Sequence, residues 1–237
     1  MSGTTRRNLI LLAGLAAAAG GWQWWVHRPR TLEFEPIAGL PGWRRTAIGD
    51  VTLSTAAAVF IGIDDRPAPM PPEDLCPFLY PSTDDRLAAT VFTDINCPNC
   101  ASLEAKLATR RDRLNLRFID LPLLGPFSEA AARVSIAAEL LSGVPSEPPR
   151  VLRGRGIAPV VQYHAARAGL DPEVLNDAMD EPEVKARLAQ NRSAAEALGI
   201  IGTPALTLGR TLVLGDVERG SLDALITLEE KHNQGCT

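Results

Sequence analysis

Aromatic residues are scarce in this chain of 237 residues, at 5%, and it holds only four cysteines and three histidines. Four cysteines cannot staple a chain of this length, so the fold must rest on a core, which the 46% apolar content can supply. An excess of charge is lacking too. The net charge is −4 and no basic stripe interleaved with aromatics occurs, which argues against nucleic acid as a partner. Long apolar runs are confined to one place near the N-terminus. There Arg6 and Arg7 precede LILLAGLAAAAGG, the layout of an export signal.

Residues 9–26 carry only Gln23 as a strongly polar residue over 18 positions, a length that can span a bilayer. Trp22, Trp24 and Trp25 suit an interfacial belt, whereas Ala17 to Ala19 offer a cleavage pattern, so residues 1–26 read as an export signal or an uncleaved anchor. The string TRRNLI also resembles a twin-arginine signal. In each case the rest of the chain is expected outside the cytoplasm. Residues 27–86 are rich in Pro and Gly and read as a tether and N-terminal extension laid against the main domain. Within them residues 59–63 suggest an edge strand or hairpin, and Pro67, Pro69, Pro71 and Pro72 are expected to forbid regular structure. Cys76, in LCPFLY, reads as a buried inert thiol or as a disulfide partner of Cys236, alternatives that sequence separation leaves open.

The pattern then sharpens. In LAATVFTDINCPNC an apolar run at residues 87–92 reads as a buried strand, broken by Thr93, Asp94 and Asn96, and two cysteines follow with two residues between them. Cys97 falls where a helix would begin and Pro98 fits the first helical position, having no N–H to waste. A helix N-terminus favours the thiolate, the reactive form of cysteine, so Cys97 is suited to attack and Cys100, about one turn on, to resolve. A redox dithiol is the leading reading; half of a metal site and a structural pair are the alternatives, and no second Cys or His pair completes a zinc site. The following helix keeps Leu103 and Leu107 on one side and turns Lys106, Arg110, Arg111 and Arg113 to water. Residues 116–121 read as a second core strand, giving a β-α-β unit.

From residue 128 to 198 the pattern is helical, with Ser128 read as a cap, a helix over 159–168, Asp171 with Pro172 opening another, and Pro182 opening a last one that stops before Gly199. The insertion helix carries His164, read as a packing residue; His27 flanks the membrane segment. Residues 205–208 and 211–214 form a hairpin around Gly209 and Arg210, and residues 218–231 a closing helix. His232 reads as a charge partner at that helix end, although its four-residue spacing from Cys236 could bind metal. Pro204, which cannot donate to a ladder, suits a cis peptide after Thr203.

CPNC after a buried strand, a multi-helix insertion, and GTPA at residues 202–205 together resemble the exported DsbA-like thiol:disulfide oxidoreductases over residues 87–232. The resemblance implies an α/β thioredoxin-like fold split into residues 87–127 and 199–237 around a helical insertion at 128–198. It also implies an exposed attacking Cys97, a buried Cys100, redox tuning by Pro98 and Asn99, and a cis Pro204 beside the disulfide, with Thr203 offering its backbone to an extended substrate. No cofactor is implied. Many thioredoxin-like proteins carry a buried acid six residues before the first cysteine; Val91 stands there, leaving Asp94 as a candidate for proton handling or as a polar turn residue. The expected activity is that of a periplasmic oxidase introducing disulfides into exported proteins and reset by a membrane redox partner. The alternatives are a membrane-tethered reductase and a Cu(I) carrier using the same thiols; the latter would want an extra ligand, and Met70 and Met179 are distant in sequence.

Overall fold

The computed structural model describes residues 32–47, 68–81, 85–149, 152, 154–232 and 236. The export segment at residues 1–26 and the strand expected at 59–63 lie outside them. Among the described residues no helix is long and apolar enough to cross a membrane.

Among the described residues a six-stranded sheet organises the chain, in the order β1 (Glu35–Pro36), β2 (Arg44–Ala47), β6, β5, β3, β4. Its centre is β3 (Leu87–Thr93), which pairs in parallel with β4 (Leu114–Asp120) over seven residues and antiparallel with β5 (Ala205–Leu208), whose hairpin partner is β6 (Thr211–Leu214). Helix α2 (Pro98–Ala108) makes the crossover between β3 and β4, a connection that parallel pairing requires. Strand β3 is buried on both faces, which is why its sequence is a near-continuous apolar run. Val91 enters a core with Leu103 and Leu107 of α2 and with Leu222, Leu225 and Ile226 of α7 (Arg219–His232). Its neighbour Phe92 enters a core on the other face, with Leu198 of α6 (Pro182–Leu198).

The helical segment comprises α3 (Pro126–Ser142), α4 (Ile157–Ala168), α5 (Pro172–Ala178) and α6, and α3 to α5 pack around a core of their own that includes Val134, Val160 and Leu175. As expected, Asp171 caps α5, accepting the Glu173 amide, and α6 stops at Gly199 in the left-handed conformation. Helix α3 departs from expectation. It starts at Pro126 behind Gly125, and Ser128 is buried in its first turn instead of capping it.

Three further expectations are corrected. Residues 33–47 do not merely lie against the domain: β1 (Glu35–Pro36) and β2 (Arg44–Ala47) are strands of its sheet, β2 parallel to β6. The prolines do not forbid regular structure up to Pro72, which opens helix α1 (Pro72–Leu79) because the first helical position needs no N–H. Leu75 and Leu79 of α1 are fully buried, and the Tyr80 hydroxyl donates to Gly209 O at 2.6 Å. Lys106 and Arg110 do not face water either. Lys106 pairs with Asp216 at 2.7 Å, and Arg110 makes a two-pronged pair with Asp223 of α7 at 2.6 and 2.8 Å, the fork geometry that suits a guanidinium and a carboxylate.

Candidate functional site

The site grows from the C-terminal end of β3. The strand leaves the sheet at Thr93, Asp94 O accepts the Cys97 amide at 3.0 Å to close a turn, and α2 begins at Pro98 with Cys97 as its N-cap. Cys97 and Cys100 are joined in a disulfide with Cα atoms 5.3 Å apart. The Cys100 amide, one of the free N–H groups of the first helical turn, points at Cys97 Sγ at 3.0 Å. No acidic side chain stands in that first turn, so nothing there opposes the helix dipole in favouring a thiolate at Cys97.

Pairing of Phe92 with Ala205 brings the Thr203–Pro204 peptide, which is cis, alongside the strand end that leads to Cys97. Thr203 is fully buried, and its hydroxyl has no hydrogen-bond partner. Pro98 is exposed and Asn99 half-buried between the two sulfurs. Cys97 departs from the expected exposure: it is 0% exposed, like Cys100. Its sulfur turns inward to accept the Cys100 amide and to bond Cys100 Sγ, leaving Pro98 as the exposed part of the motif.

Asp94 is 2% exposed and sits at a convergence of donors. Its Oδ1 accepts from the Asn96 amide and the Ser128 hydroxyl, both at 2.7 Å, and its Oδ2 from the Leu123 and Leu124 amides at 2.8 and 3.0 Å. Asn96 Nδ2 donates to Ser128 Oγ at 3.0 Å. Sequence reasoning did not single out Ser128, Leu123 and Leu124 as parts of the site, because they lie about 30 residues downstream and no local spacing ties them to the motif. It also passed over Glu104, on α2, whose Oε1 accepts from the Thr93 hydroxyl at 2.7 Å. Val91, six residues before Cys97, is fully buried among apolar side chains.

The remaining candidates lie elsewhere. Cys76 and Cys236 form a second disulfide, with Cα atoms 5.2 Å apart, so the inert-thiol reading of Cys76 gives way. That bond and the contact of His232 Nδ1 with Leu228 O leave no metal pair at the C-terminus. Met70 packs beside α1 and Met179 among the inserted helices. Among the described residues no cluster of three or more His, Cys, Asp or Glu could hold a metal ion. His164 is 2% exposed with Nε2 unpartnered, edge-on to Tyr163.

A solved thioredoxin-like oxidoreductase from Silicibacter pomeroyi DSS-3 is 30% identical to this chain, with 61% of this chain and 87% of that one aligned at a TM-score of 0.51. This chain belongs to the DsbA-like thioredoxin family. A sequence match to the DSBA-like thioredoxin domain covers residues 158–225, from the insertion to the closing helix. BdbD from Bacillus subtilis, in its oxidised form, shares the fold at 16% identity and a TM-score of 0.52, over 71% of this chain and 100% of its own. No curated protein matches the sequence. The DsbA-like protein described here is a thiol:disulfide oxidoreductase, and its exchange chemistry needs a dithiol that cycles between the bonded and reduced states.

Proposed function

We propose that the protein is an oxidase, acting outside the cytoplasm, that hands the Cys97–Cys100 disulfide to exported polypeptides. A substrate thiolate attacks Cys97 Sγ and Cys100 leaves as a thiolate, giving a mixed disulfide at Cys97. A second substrate thiolate then attacks the substrate sulfur, Cys97 leaves, and the substrate departs with a new disulfide. Two electrons and two protons end on the dithiol, which a membrane redox partner takes back. Thr203 and Pro204, next to Ala205, which pairs with the strand end that leads to Cys97, would align an extended substrate segment, and Pro98 and Asn99 would set the surroundings of the leaving thiolate.

The observation that carries this reading is the Cys100 amide aimed at Cys97 Sγ at the mouth of α2, with no acid in the first turn. Such a setting lowers a thiol pKa, which stabilises the reduced form and makes the disulfide more oxidising. The absence of an acid at Val91 acts in the same direction. Export is supported by the Arg6–Arg7 apolar segment and by the Cys76–Cys236 bond, which persists in an oxidising compartment.

Equilibration of the purified protein with glutathione tests the direction. A potential of about −120 mV is expected, and one of about −270 mV would make the protein a reductase.

A further inference from the structure

A buried carboxylate three residues before the attacking cysteine invites a role in proton transfer, yet its surroundings are arranged otherwise. Each Asp94 oxygen receives two donors, and three of those four bonds come from beyond the turn it belongs to: from Leu123 and Leu124 in the loop after β4, and from Ser128 in the first turn of α3. The fourth comes from Asn96, whose side chain donates in turn to Ser128 Oγ, so the hydroxyl accepts from one and donates to the other. The backbone carbonyl of Asp94 meanwhile accepts the Cys97 amide. One residue therefore grips the Cys97 turn from both sides: its main chain holds the cysteine and its side chain holds the loop that leads into the helical insertion.

We propose that Asp94 is the positioning residue of the dithiol, clamped by Ser128 and Asn96 so that Cys97 sits as the N-cap of α2 and the helical insertion becomes part of the support of the attacking sulfur. This deepens the exchange reading above, on which it rests. Asp94 acts through the geometry of the turn. Without its carboxylate, the turn loses the anchor that keeps Cys97 Sγ in line with the Cys100 amide, and the thiolate loses that hydrogen bond and part of the dipole's help. The sign of this effect separates it from a bare charge effect. Removing a nearby negative charge alone would make the Cys97 thiolate easier to form; loosening its N-cap geometry makes it harder.

The experiment uses the full chain with Asp94→Ala and, because that variant removes four contacts and could fail to fold, Ser128→Ala, which removes one. For each, the ultraviolet absorbance of the Cys97 thiolate is titrated in the reduced protein, and the dithiol is equilibrated with glutathione. Asp94→Ala is expected to raise the thiolate pKa and to shift the equilibrium about tenfold toward the disulfide, about 30 mV more reducing for a two-electron couple. Ser128→Ala is expected to shift both in the same direction by a smaller factor, with Ser128→Thr restoring them through its hydroxyl. A lower thiolate pKa in Asp94→Ala would overturn the proposal in favour of a charge effect. Loss of thermal stability with pKa and equilibrium unchanged would overturn it in favour of a structural role alone. The wild-type potential tests the direction of exchange separately, so the two readings can fail independently.

Discussion

The side chain that ties stability to acid pH is His164, buried on α4 of the helical insertion. Burial, with the Arg167 charge adding to it, pushes its imidazole down to about 4 from an ordinary 6.5, and Nε2 has no partner to repay a proton. The folded state thus resists protonation that the unfolded chain accepts, so the unfolded chain binds more protons between those two values. Stability tied to this group is intact above about pH 6.5 and is lost as pH falls toward about 4, a loss of about 3 kcal/mol over the window. Urea unfolding at a series of pH values should show His164→Leu gaining on the wild type across that interval. A difference between the two proteins that stays constant with pH would show that the ring is hydrated or paired in solution.

Between elements, the Cys76–Cys236 bond links α1 to the tail beyond α7 and closes a loop with a sequence separation of 160. In the chain-entropy picture such a loop restrains the unfolded state by up to about 5 kcal/mol. Helix α1 needs the help, since it is eight residues long with Pro77 inside it, and a helix so short does not stand alone. Cys76→Ser with Cys236→Ser should therefore lower the urea midpoint markedly, while the glutathione equilibrium of Cys97 and Cys100 stays where it was. A shift in that equilibrium would mean that the second bond reaches the site through the core. Both disulfides involve residues that stand out in the sequence, yet only the Cys97–Cys100 pair could be assigned from it. Two cysteines in one helical turn after an apolar strand have few other uses, whereas the partner of Cys76 depends on a chain path that no local pattern encodes. The same division runs through the site. The hairpin around Gly209 follows from local chemistry and the cis Thr203–Pro204 peptide from the resemblance carried by GTPA, while the donors to Asp94 depend on how the loop after β4 folds back. The inward turn of Cys97 was equally hidden, because exposure belongs to the packed molecule and not to the motif.

For the molecule as a whole, the least legible part is the N-terminal third, and its importance can be weighed. RRTA in β2 has no alternating apolar pattern, its partner β6 lies more than 160 residues away, and Arg44 is held by Thr211 and Glu229 at 2.8 and 2.7 Å, so nothing local marks it as a strand. Around it Ile37, Leu40, Trp43, Leu75 and Leu79 enter the core shared with Phe92, Leu198 and Leu212. At about 1.5 to 3 kcal/mol for each buried side chain, these five contribute roughly 10 kcal/mol. That is comparable to the whole stability of an ordinary domain, about 5 to 15 kcal/mol. If the extension were an appendage, a chain beginning at Leu87 with Cys236→Ser would remain soluble and unfold at the same urea concentration as the full chain. The contacts argue the opposite. Without β2 the β6 edge is open to pairing with another copy, and without α1 the apolar face beneath it is bare. The truncated chain should elute as aggregate in size-exclusion chromatography and show no cooperative urea transition.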